Sequence, residues 1–175
     1  MTPVTLHAIT VIGHDRPGII AETTRVLADL GLNLEDSTMT LLRGHFAMML
    51  VCAGDVDSAD VESALAGLTA DGRLTVSVRE VPPEPVQSAL GLSYVLTVHG
   101  GDRPGIVSAV VSEVAAVGGN ITDLTTRLSG ELYLLVAEVD LPATVDVTAL
   151  QAALERVASE LGVGATLREV ESDEL

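Results

Sequence analysis

Short stretches of alternating apolar and polar residues punctuate this chain, separated by stretches in which apolar residues recur every three or four positions. Leu6 to Ile12 is β-branched, partly alternating and stopped by Gly13, which predicts a strand. Ile19, Thr23, Val26, Leu27 and Leu30 then fall on one helical face, with Asp15 as a cap, Pro17 in the first turn and Gly31 closing the helix. Leu34 to Leu42 and His45 to Ala53 read as a hairpin turning at Arg43-Gly44. A second helix opens at Asp57 or Ser58, buries Val61, Leu65 and Leu68, and ends at Asp71-Gly72; Leu74 to Val81 is a last strand.

The βαββαβ order then repeats. Tyr94 to His99 is a strand, and Ile106 to Val117 a helix with a stripe of Val107, Val110, Val111 and Val114. Asn120 to Leu128 and Leu132 to Leu141 pair around Ser129-Gly130. Asp146 caps a helix carrying Leu150, Leu154, Val157 and Leu161, and Ala165 to Val170 completes the set. The repetition is also literal. Thr10 to Ile19 returns, 87 positions later, as Thr97 to Ile106, sharing Gly-x-Asp-Arg-Pro-Gly-Ile in the forms His14-Asp15-Arg16-Pro17-Gly18-Ile19 and Gly101-Asp102-Arg103-Pro104-Gly105-Ile106. The same offset aligns Gly31 with Gly118, Asn33 with Asn120, and Asp36 with Asp123. An ungapped register running from loop through helix into strand predicts two copies of one domain. The domains are placed at residues 1–81 and 92–171, with a stiff Pro-rich linker at 82–91 (Pro82-Pro83-Glu84-Pro85) and a frayed tail at Glu171 to Leu175. The fold class is α+β: two ferredoxin-like units, each an antiparallel four-stranded sheet with its helices on one face.

Composition narrows the function. There are 25 acidic residues against 9 Arg and no Lys, a formal charge of −16. The acids outnumber Arg in both halves, 11 to 5 in residues 1–83 and 14 to 4 in residues 84–175, so neither half offers a basic stripe. Direct nucleic-acid binding and docking to an anionic membrane are both disfavoured. No apolar run reaches a bilayer-spanning length. A lone cysteine, Cys52, sits in an apolar run as a buried thiol; with no signal-peptide pattern at the start, the expected location is the cytoplasm. His7, His14, His45 and His99 have no metal-ligand spacing, and no catalytic triad or phosphate-binding glycine loop is present, so no metal, cofactor or catalytic residue is assigned. Met39, Met48 and Met49 read as sheet filling.

The repeated loop carries the chemistry. It leaves a strand and enters a helix, so the free N–H groups of the first turn can receive an anion such as a carboxylate. Gly18 and Gly105 allow close approach to the backbone. Asp15 and Asp102 can accept from an ammonium group, and Asn33 and Asn120 offer donor and acceptor together. Asp as cap, Pro at a helix start and Gly in a turn are also sound structural choices on their own, and Arg16 and Arg103 can serve simply to brace the loop. Arg16 and Arg103 nevertheless recur without a capping role.

These loops, the Gly-x-Asn before each second strand and the βαββαβ order resemble the ACT domain, twice over nearly the whole chain. Gly31-Leu32-Asn33-Leu34-Glu35-Asp36-Ser37 and the two-domain length resemble, within it, the glycine cleavage system transcriptional repressor family. The resemblance implies a non-catalytic, amino-acid-sensing regulator that binds its ligand between ACT domains and signals to a regulatory protein partner. It implies ligand contacts from Asp15, Gly18, Ile19, Asn33, Asp102, Gly105, Ile106 and Asn120, with Arg16, Pro17, Arg103 and Pro104 supporting the loops. In serine-sensing relatives an Asn holds the ligand where Asp15 and Asp102 stand, and a second Asn matches Asn33 and Asn120. Edge-to-edge pairing through the second strands would set the loop of one repeat against the Asn of the other. Two alternatives stand beside this reading: a structural oligomerisation module without ligand, and an acylphosphatase-like enzyme using Arg16 and Asn33. The alternation of Leu132, Leu134 and Val136 further predicts a homodimer that covers the outer sheet faces.

Overall fold

The computed structural model describes residues 4–83 and 91–170; Glu84 and Pro85 of the linker and the tail at 171–175 lie outside them. The chain divides into two compact units on either side of the Pro85–Val86 bond. The first unit runs β1 (Thr5–His14), α1 (Ile19–Asp29), β2 (Asn33–Leu42), β3 (His45–Gly54), α2 (Ser58–Ala64), α3 (Ala66–Thr69) and β4 (Leu74–Val81). The second runs β5 (Gly91–Gly101), α4 (Ile106–Ala116), β6 (Asn120–Ser129), β7 (Leu132–Pro142), α5 (Val147–Glu160) and β8 (Val163–Glu169). The sheets are ordered β2-β3-β1-β4 and β6-β7-β5-β8, and every pairing is antiparallel. Each is a four-stranded ferredoxin-like sheet, with β2 or β6 at one edge.

Strand period places the core. In the first unit Ile9, Val11, Phe46, Leu50 and Cys52 face the helices and meet Ile19, Leu27, Val61, Leu65 and Leu68. In the second, Leu96, Val98, Leu135, Ala137 and Val139 meet Ile106, Val110, Val114, Leu150 and Leu154. The opposite faces are not covered by helices: Ile12 is 54% exposed and Leu132 56%. Leu132, Leu134 and Val136 all lie on this outer side, alternating with the buried Leu135 and Ala137. Both second strands carry a bulge at the same repeat position, between Leu34 and Asp36 and between Ile121 and Asp123.

Several local expectations need correcting. Asp15 does not cap α1; the N-cap is Gly18, in a left-handed conformation (φ 91°) that a side chain would oppose, and Gly105 repeats it at φ 94°. Asp57 and Asp146 do cap their helices, accepting from the amides of Ala59 and Ala149. The helix expected after Asp57 breaks at Leu65, where Gly67 follows in a short turn of helix. Val107 faces outward, since the buried stripe of α4 is Ile106, Val110 and Val114. Among the described methionines only Met48 fills the core; Met39 and Met49 are half exposed.

Candidate functional site

Each loop is pinned by its hairpin. The amide of Asp15 donates to the carbonyl of Gly44 (3.2 Å), and that of Asp102 to the carbonyl of Glu131 (3.2 Å). In the first unit His14 adds a bond to the carbonyl of Arg73 (3.1 Å), made possible by Gly13. The first intrahelical bond of α1 runs from Glu22 to the Gly18 carbonyl (2.9 Å), and that of α4 from Ala109 to Gly105 (2.9 Å). The amides of Ile19, Ile20 and Ala21 precede that bond and have no helical acceptor. These three residues line a cavity of about 300 Å³ together with Asp15, Arg16, Gly18, Met39 and Phe46, at the low end of the size range for small-ligand sites.

Asp15 and Gly18 are exposed on this cavity and Arg16 is half-buried. Arg16 Nη2 donates to Glu22 Oε2 at 2.9 Å, so the bracing role is met here by an ion pair. Pro17 and Pro104 each stand directly before their N-cap glycine. Ile19 and Ile106 are each only 2% exposed, so their side chains belong to the core. His14 and His45, cross-strand partners beside this loop, have ring centroids 5.6 Å apart. The second loop presents Asp102, Arg103, Pro104 and Gly105, all exposed.

Asn33 and Asn120 are exposed too, but they sit elsewhere. Asn33 pairs with Ala53 at one end of β2, whereas the Asp15 loop docks at Gly44, beyond its other end. A ten-residue strand separates them, roughly 30 Å at ~3.3 Å per residue. Asn120, opposite Asp140, is likewise a strand's length from the Glu131 carbonyl that holds the second loop. No unit brings its own loop and its own Asn together. Met39, Phe46 and Glu22 were not read as site residues from the sequence; an acidic residue in the first turn of α1, six positions after Arg16, was the available signal for Glu22.

The ACT domain family model matches residues 6–79 and again residues 93–168. The chain belongs to the ACT domain family. A glycine cleavage system transcriptional repressor of Escherichia coli is 24% identical over 170 residues, 93% of this chain and 88% of that protein. A UPF0237 protein of Methanopyrus kandleri is 47% identical over 58 residues; the match spans a third of this chain (33%) and 62% of that protein. A crystal structure of an unknown protein from Galdieria sulphuraria superposes with a TM-score of 0.81 at 30% identity, covering 95% of this chain and 99% of that one. The chain is thus a tandem ACT protein, related along its length to a regulatory protein. Among the described residues no helix is long and apolar enough to cross a membrane.

Proposed function

We propose that this tandem ACT protein is a non-catalytic sensor that binds a small α-amino acid at its Asp-Arg-Pro-Gly loops and passes its state to a regulatory protein. The carrying observation is the first loop's cavity: Asp15 and the three residues whose helix-start amides lack a helical acceptor line one space of about 300 Å³. The amides would receive the ligand's carboxylate and Asp15 its ammonium, a donor and acceptor pairing that suits a zwitterion. The Asn of a site would have to come from another ACT domain, because each domain keeps its loop and its Asn a strand apart.

The charge of −16 favours signalling through protein contact rather than through nucleic acid. Likeness to the E. coli repressor supports a role in transcriptional control reached in that way. A homodimer is part of this reading. The outward residues of the central strands, Ala8, Thr10 and Ile12 with Ala47, Met49 and Val51, are uncharged, as a self-complementary contact between acidic chains requires. Sedimentation at one chain mass, at high protein concentration, would count against the dimer.

Calorimetry of the whole chain against each of the twenty standard amino acids tests the sensor. Binding by one or a few is expected, with Asp15→Ala weakening it about tenfold to a hundredfold, as loss of a charge-assisted bond of about 1.5–3 kcal/mol implies. Unchanged affinity in Asp15→Ala would remove the ligand from this loop.

A further inference from the structure

We infer that the two ACT loops are unequal sites and that Glu22 makes them so, as the positioning residue that holds Arg16 at the first cavity. This deepens the sensor reading and rests on it.

The two arginines occupy the same place in the repeat but are held differently. Arg16 is half-buried, lines the cavity, and gives one guanidinium N–H to Glu22, leaving its other donors free among the described residues. Position 22 becomes Ala109 in the second repeat, and α4 has no acidic residue in its first turn. Arg103 is exposed and makes no ion pair among the described residues. Its guanidinium lies instead against Gly162, where an added Cβ would stand 3.7 Å from Cζ and Nη2.

Register explains the room it finds there. Leu74 pairs with Gly13 and Val163 with Gly100, so Gly162 is the second repeat's counterpart of Arg73. A side chain fills that position in the first unit and none does in the second. The consequence is directional. Gly162 precedes β8, at the sheet edge opposite β6, whereas the first cavity opens toward β2 through Met39. Arg103 is drawn off the side of the loop on which Arg16 is kept. A ligand carboxylate at the first loop meets a guanidinium that adds a charge-assisted donor and offsets the negative charge of Asp15. At the second loop it meets Asp102 without that offset.

The test is calorimetry of the full chain with whichever of the twenty amino acids binds most tightly. The expected wild-type isotherm shows one tight site per chain, with any second site clearly weaker. Glu22→Ala, which copies the second repeat, should weaken the tight site about fivefold to tenfold. Glu22→Gln keeps an oxygen to accept from Arg16 and should restore most of the affinity, which a merely structural loss would not. Ala109→Glu offers Arg103 an acid one turn into α4 and should tighten the second site toward the first. Circular dichroism of each variant confirms the fold. Two equal sites in the wild type, or a tight site unmoved by Glu22→Ala in a folded protein, would overturn the inequality while leaving the sensor reading intact. A wild type that binds none of the twenty would overturn both.

Discussion

His7 is buried completely in β1, and its substitution by leucine should make the first domain more stable, not less. Its Nδ1 lies 3.0 Å from Ser58 Oγ, while Nε2, equally buried, has no partner among the described residues. Whichever nitrogen carries the proton, one polar atom is left unmet. The second repeat shows what the fold prefers there: Tyr94 replaces His7, Val139 replaces its cross-strand neighbour Cys52, and Val147, the residue after the Asp146 N-cap, replaces Ser58, the residue after the Asp57 N-cap. An unmet buried polar atom costs about 1–3 kcal/mol, and the bond to the half-buried Ser58 returns about 0.5–1.5 kcal/mol. Leucine fills similar space with no polar atom, so His7→Leu should gain about 1 kcal/mol, a factor of roughly five in the opening equilibrium. Native-state hydrogen exchange resolves this domain by domain. Protection of the Ile9 and Leu50 amides should rise about fivefold, with Leu96 and Leu135 in the second domain serving as the internal reference. Unchanged or lowered protection at Ile9 and Leu50 would refute the reasoning, by showing that Nε2 is satisfied and that only the Ser58 bond was lost.

Gly13→Ala should be severely destabilising: its φ of 153° is glycine-like and an added Cβ would collide with the Arg73 carbonyl oxygen, so backbone strain of about 1–3 kcal/mol is the minimum cost. Gly18→Ala meets open space and should cost only its φ strain; urea midpoints that rank the two alike would contradict this. Burial, and then the nearby Glu35 carboxylate, raise the Cys52 thiol above its ordinary pKa of 9.0. The unfolded chain therefore ionises first, so this group's stability is intact below pH 9 and falls as pH rises above it. Cys52→Val, the residue of the second repeat, should flatten that alkaline loss in urea titrations compared at neutral and high pH.

The architecture was legible because its signals are local and doubled. Period-two strands, a three-to-four-residue helical stripe and the glycine turns at Arg43-Gly44 and Ser129-Gly130 each occur once per half, so each copy supports the other. What failed depended on backbone geometry that side-chain pattern does not report. Asp15 resembles an N-cap, yet the chain bends once more and Gly18 takes that place with positive φ. The matched bulges in β2 and β6 leave no mark in the hydrophobic alternation, and Val107 was assigned inward because a valine reads as core on any face. At the site, Asp15, Arg16 and Gly18 were found by recurrence, whereas Met39 and Phe46 reach the cavity from β2 and β3, a proximity that only the folded sheet creates.

Recurrence also misleads where it is most persuasive. A motif preserved at a fixed offset invites the reading that both copies act alike, but the residues around it have diverged in spatial groups. Glu22 holds Arg16 at the first loop, whereas Ala109 offers Arg103 no acid and Arg103 lies against Gly162. His7, with Cys52 opposite it and the half-buried Ser58 bonded to it, stands where the other repeat has Tyr94, Val139 and Val147. A polar cluster with an unmet nitrogen lowers stability, so it gives the first domain a smaller opening free energy than an apolar filling would. The domain whose loop keeps its arginine at a cavity therefore also carries an unmet buried nitrogen. A ligand that binds only the folded domain raises its opening free energy, through the coupling of binding to folding. In the proposed sensor that coupling would act at the domain whose loop holds Arg16, and filling the His7 position with an apolar side chain would add to the same opening free energy.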